Sequence, residues 1–154
     1  MSQSQLPRDR ATRIRDTLDR LARDVDAWIG TADPDQGTPY LVPLSYLWRD
    51  DSLIISTPAQ SVTARNLAAT GQVRISLDGT RDVVIIEGVA RPLAPEELTT
   101  ELGDAFAVKT GFDPRELSTP YQYFHLSPRR IQAWREENEL TGRTLMRDGT
   151  WIDS

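Results

Sequence analysis

The sequence predicts a mainly β protein with flanking helices, its strands antiparallel and rolled into a small barrel or sandwich. Three observations carry this. About seven short stretches have strand-like alternation or β-branched apolar runs. Short turn signals join successive stretches, which antiparallel pairing allows and parallel pairing does not. Helical periodicity is confined to an N-terminal stretch, a short capped one and one long connection.

The elements follow in order. Ile14, Leu18 and Leu21 recur at helical spacing within Asp9 to Arg23 and mark one apolar stripe. "AWIGTA" reads as a strand over Ala27 to Ala32, closed by "DPDQGTP". "YLVPLSYLW", Tyr40 to Trp48, is the second strand, and "RDDS" turns it into "LIIST". Pro43 has no N–H for a central ladder, so it marks an edge, a bulge or a close ligand approach. A short helix follows, with Ser61 as N-cap and Gly71 in the position that ends it. "QVRISLDG" alternates Val73, Ile75 and Leu77 inward, and "DGTR" turns it into the longest strand, "TRDVVIIEGVARPL". "APEELTTELGDAFAVKTG" reads as one long helix starting at Pro95 and Glu96 and stopping before Gly111. "DPRELS" is one helical turn, "YQYFHLSPRRIQAWR" one or two strands, and "RTLMRDGTWI" a hairpin at Asp148-Gly149. Residues 1–10 are expected to be loose and residues 11–154 to form one domain.

Bulk composition narrows the function. The chain has 154 residues, 38% hydrophobic and 27% charged, with net charge -5 and no cysteine. Disulfides and thiolate metal sites are excluded. No apolar run approaches the ~20 residues of a membrane span, and the N-terminus has no signal-like apolar core. A cytoplasmic protein with no membrane partner is expected. The acidic balance argues against nucleic acid. Arg8 to Arg23 holds six Arg against three Asp, but their alternation reads as a solvated helix face.

Few residues carry chemistry alone. His125 is the single histidine, so no zinc set exists, and it reads as a hydrogen-bonded strand residue. No G-x-S-x-G, Walker A or G-x-G-x-x-G motif is present. The carboxylate pairs Glu96-Glu97 and Glu136-Glu137-Glu139 sit at helix starts or loops, where acids favour the helix dipole. The remaining candidate is "STPAQSVTARNLAATG", Ser56 to Gly71. Hydroxyls of Ser56, Thr57, Ser61 and Thr63 gather where a strand hands over to a helix, with Arg65 one turn on. Free N–H groups at a helix start bind anions. Simple capping and a phosphate seat both explain this pattern.

The ordered set "STP", "ARNL", "RISL" and "EGVA" resembles the pyridoxamine 5′-phosphate oxidase-like superfamily over Ala27 to Leu93. The tail "RIQAWREENELTGRTLMRDGTWI" resembles actinobacterial members more loosely, and the flavin and deazaflavin oxidoreductase branch is the nearest in pattern. The resemblance implies an antiparallel split β-barrel of the FMN-binding type, working as a homodimer. It implies FMN or the deazaflavin coenzyme F-420 in a groove between subunits. Carried onto this chain, Ser56, Thr57, Ser61, Thr63, Arg65 and Asn66 hold the phosphate or ribityl chain. Pro43, Leu44 and Ser45 line the ring, and Trp134 and Arg143 reach a partner chain's site.

Many members carry lysine where this chain has Thr63, and arginine near Ser61. Charge-assisted bonds to phosphate are about twice as strong as neutral ones. The seat is therefore weaker than usual unless Arg65 or a partner's arginine compensates. Flavin binding, a preference for deazaflavin, and loss of cofactor stay open at this stage. The resemblance implies hydride transfer to or from a small organic substrate, with no catalytic residue to name. A flavin or tetrapyrrole carrier without turnover is the alternative. The pyridoxine-pathway reaction itself is not implied, since its basic substrate-phosphate residues have no counterpart here.

Overall fold

A computed structural model describes residues 6–153 of the protein. Helix α1 (Arg10–Arg23) starts where Asp9 accepts the Thr12 N–H. Strands β1 (Asp26–Ala32), β2 (Pro39–Arg49) and β3 (Ser52–Pro58) follow as hairpins. Asp50 and Asp51, at φ 52° and 55°, make the tight turn between β2 and β3. Two successive left-handed residues match the twist of a two-residue hairpin, and Asp tolerates that region. Helix α2 (Val62–Thr70) then leads through Gly71, at φ 65°, into β4 (Gln72–Leu77) and β5 (Val83–Pro92). Helix α3 (Thr100–Thr110) lies in the connection to β6 (Tyr121–Trp134), and β7 (Thr144–Arg147) and β8 (Thr150–Trp151) end the chain.

Sheet order is β3-β2-β1-β4-β5-β6-β7-β8, all antiparallel, and a β3–β6 pairing closes the first six strands into a barrel. The expected mainly β, antiparallel split barrel with flanking helices is the observed fold. Its interior is filled by Ile29, Tyr46, Leu53, Ile55, Ile75, Ile86, Phe124 and Leu126, all nearly inaccessible, and by Ala64 and Leu67 of α2. A second, smaller cluster of Ile54, Leu93, Phe106 and Tyr123 lies under α3 on the opposite face of β3 and β6. Alternation along β3 divides the two: Leu53 and Ile55 face the barrel, Ile54 the α3 layer.

Several elements differ from the sequence reading. The long helix expected from Pro95 is broken into a 3₁₀ turn (Pro95–Glu97) and α3, because Thr99 caps the Leu102 N–H while Glu97 accepts from Ala94. Strand β6 is continuous. Its Pro128 is tolerated because it faces Gly88 across a bulge at Glu87/Gly88. On α1 the buried residues are Arg13, Thr17 and Leu21, with Ile14 only partly packed. Arg13 Nη1 donates to the carbonyls of Glu139 and Gly142, at 3.0 and 3.1 Å. Of the ten residues expected to be loose, 1–5 lie outside the described residues. Arg8, by contrast, grips the buried Glu139 carboxylate at 2.8 and 2.9 Å. No helix among the described residues is long and apolar enough to cross a membrane.

Candidate functional site

The site is set by a division of labour along β2. Residues Pro39 to Ser45 pair with β1 alone, and Tyr46 to Arg49 pair with β3. Beyond Tyr46↔Ile55 the two strands part, and β3 runs on to Pro58 against β6. A split therefore opens between the free edge of β2 and the end of β3. Pro43 sits opposite Trp28 on that free edge, so its missing N–H breaks no ladder bond toward β3. Of the other ring candidates, Leu44 is half-buried and packs on the barrel core, and Ser45 donates its hydroxyl to Asp26 Oδ1 at 2.6 Å.

Across the split, α2 begins. Ser61 has extended geometry, φ -68° and ψ 158°, and its Oγ accepts the Ala64 N–H at 3.1 Å. Its hydroxyl also pairs with Thr57 Oγ1 at 3.1 Å, which fixes the Ser61 rotamer. The Arg65 N–H closes the first helical bond on the Ser61 carbonyl. The Val62 and Thr63 amides have no acceptor within the described chain. They carry the partial positive charge of the helix start. Arg65 is exposed and makes no ion pair with any described residue. The Val62 amide, a serine hydroxyl and a guanidinium unpaired among the described residues are a donor set that suits a phosphate.

Thr57, Ser61 and Arg65 are thus brought together, while three other candidates have different surroundings. Thr63 is 1% exposed as a whole residue, so neither its hydroxyl nor its N–H is open at the helix start. Asn66 is buried and donates to Thr31 Oγ1 at 3.1 Å. Ser56 lies directly opposite Tyr123 in the β3–β6 ladder, on the α3 side of the strand. Its hydroxyl is buried with no partner among the described residues, as is that of Tyr123. Trp134 and Arg143 stack on one another, the guanidinium 5.6 Å from the ring centre. They stand at the far end of β6 and just before β7.

His125 is a strand residue whose Nδ1 meets Ser127 Oγ at 3.2 Å. Burial first, then the nearby Arg91, keep it neutral more readily than a free histidine. It lies on the α3 side of the barrel, beside the paired Arg91–Glu97 and Arg49–Glu101. Among the described residues no cluster of His, Cys, Asp or Glu suits a metal ion. The outer face of β1 and β2 leaves Trp28 40% and Leu41 62% exposed, with Pro43 between them in register. Sequence periodicity marked these as strand residues without saying that their face has no cover.

Comparison with known proteins gives the family. No curated protein sequence matches the chain. Among solved structures, an FAD-binding protein from Mesorhizobium loti is 16% identical, with a TM-score of 0.63 over 77% of this chain and 89% of that one. A heme binding protein from Mycobacterium smegmatis is 18% identical, with a TM-score of 0.64 over 92% of this chain and 59% of that one. An F-420 reductase is 18% identical, with a TM-score of 0.58 over 73% of this chain and 93% of that one. At these identities the likeness is one of fold. Residues 18–135 match the family model described as Pyridoxamine 5′-phosphate oxidase. That match spans most of the chain and takes in the split, β3 and the start of α2: the chain belongs to the pyridoxamine 5′-phosphate oxidase family.

Proposed function

We propose that the protein is an oxidoreductase that binds the deazaflavin coenzyme F-420 or FMN at a homodimer interface and transfers hydride to or from a small organic substrate. The observation that carries this reading is the open start of α2 beside the split. There the Ser61 hydroxyl, held by Thr57 and the Ala64 N–H, stands one residue before the Val62 amide, which has no acceptor among the described residues, and one turn before Arg65, which makes no ion pair among them. The FAD-binding and F-420 reductase structures of the same fold support it.

When bound, the ring supplies the hydride chemistry, and the protein supplies binding and orientation. Ser61 and the Val62 amide hold the phosphate, and Arg65 adds the one full positive charge. Thr57 keeps the Ser61 hydroxyl in place through their 3.1 Å contact. The free edge of β2 at Pro43 to Ser45 flanks the ring. The uncovered face of Trp28, Leu41 and Pro43 is the surface on which a second copy docks, excluding water from the groove. Trp134 and Arg143 are what each chain lends to the other's site.

A flavin or tetrapyrrole carrier is the second reading, supported by the heme binding protein of the same fold. One experiment separates the two. Protein loaded with FMN or the deazaflavin coenzyme is reduced anaerobically and mixed with a panel of quinones, enones and nitroaromatics. Reoxidation faster than that of the free reduced cofactor supports the enzyme. No acceleration with any acceptor leaves a carrier.

A further inference from the structure

A groove of about 570 Å³ runs along one side of α2 and starts at Val62, the first helical residue after the Ser61 cap. Val62, Arg65, Asn66 and Ala69 form one wall, since positions three and four apart share a helix face. The β1–β2 hairpin forms the other wall through Asp33 and Tyr40. Val62 and Arg65 belong both to the groove and to the anion seat, so the two adjoin.

The lining is not that of an apolar channel. Arg65 has no counter-ion among the described residues. Asn66 gives its amide N–H to Thr31, and its carboxamide oxygen receives no donor among the described residues. Asp33 Oδ1 accepts the Asp35 N–H, and Oδ2 is unengaged by any described residue. Tyr40 is 39% exposed and offers a ring face. The groove therefore presents one free cation, two free acceptors and an aromatic surface. The cleft around His125 differs, because both of its arginines are already held by Glu97 and Glu101. The groove's volume is that of a small-ligand site.

We propose that this groove takes a polar tail attached to the far side of the cofactor phosphate. The tail carries an anionic group for Arg65 and N–H or O–H donors for Asn66 and Asp33. This rests on the reading of α2 as the phosphate seat and sharpens it. FMN ends at its phosphate and leaves the groove empty. FAD has a second phosphate and an adenosine to fill it, and the deazaflavin coenzyme has carboxylates and amides. The protein is thus built for a tail-bearing cofactor.

The test is a fluorescence titration of the full chain with FMN, FAD and the deazaflavin coenzyme. It is repeated on Ala69→Trp, which puts bulk into the groove from an exposed helical position, with thermal melting to check the fold. Thr38→Trp fills the groove from the hairpin wall and stands in if the first variant misfolds. At least tenfold tighter binding of one tail-bearing cofactor than of FMN is expected, and which one it is identifies the tail. In the blocked variant that advantage is lost, and FMN affinity is unchanged. Equal affinity for FMN and both tail-bearing cofactors in the natural chain overturns the proposal while sparing the seat. So does an advantage that survives the blocking residue. Failure of all three to bind overturns the seat, and the tail with it.

Discussion

Replacing Ser61 separates the two jobs of its hydroxyl. Ser61→Ala removes the acceptor for the Ala64 N–H, an N-cap loss of about 1 kcal/mol. It also strips Thr57, 3% exposed, of its hydroxyl partner, which adds about 1 kcal/mol. The sum of about 2 kcal/mol lowers the melting temperature of a chain this long by about 4–8 °C. Glycine is a far better N-cap than alanine, so Ser61→Gly is milder by up to about 1 kcal/mol. Both variants delete the same hydroxyl. If that hydroxyl holds an anion, both lose affinity for the cofactor equally, about tenfold, although their stabilities differ. Thermal melting and a fluorescence titration on the same samples read the two quantities. Affinity that follows stability, or that does not change, would refute the seat and leave Ser61 a cap.

Other expectations concern the frame around the site. In Gly88→Ala the new Cβ meets the Ser127 carbonyl oxygen at 2.9 Å and Val73 Cγ1 at 3.3 Å, so strand backbone must move. Overpacking of this kind costs about 1–3 kcal/mol, and an unchanged urea midpoint would mean that the bulge yields freely. The Arg8 guanidinium, through its hydrogen bond, holds the Glu139 carboxyl down to about 2. A depressed acid stabilises the fold above its unfolded-state pKa and loses that contribution as pH falls toward the folded value. Glu139→Gln should therefore flatten the dependence of unfolding free energy on pH between about 5 and 2, and an unaltered slope would contradict the clasp. Trp28→Asp puts a charge on the uncovered outer face. Sedimentation should then report monomer with melting close to that of the natural chain, and a dimer that persists would move the interface elsewhere.

Much of this architecture is written locally. Asp9, Ser61, Gly71 and Gly111 mark helix ends because caps and left-handed stops are properties of one or two residues. The "RDDS" and Asp148-Gly149 turns are legible for the same reason. What depends on distant partners was not. Arg13 looks like one more charge on a basic helix, yet it is buried because loop carbonyls more than a hundred residues away need a donor. Ser56 and Thr57 look alike as neighbouring hydroxyls, but strand alternation sends them to opposite faces, and only Thr57 reaches Ser61. Pro43 shows the middle case. Its residue type leaves an edge, a bulge or a close ligand approach, and only the pairing of β2 shows an edge, one that borders a split.

The central claim is that the start of α2 beside that split seats a phosphate-bearing ring cofactor. Its most direct test is a side-by-side fluorescence titration of the purified protein with FMN and with the deazaflavin coenzyme, followed by competition with inorganic phosphate. Saturable binding of at least one of them, weakened as phosphate is added, is the expected result. Fluorescence of both that stays that of the free cofactor at every protein concentration would contradict the claim.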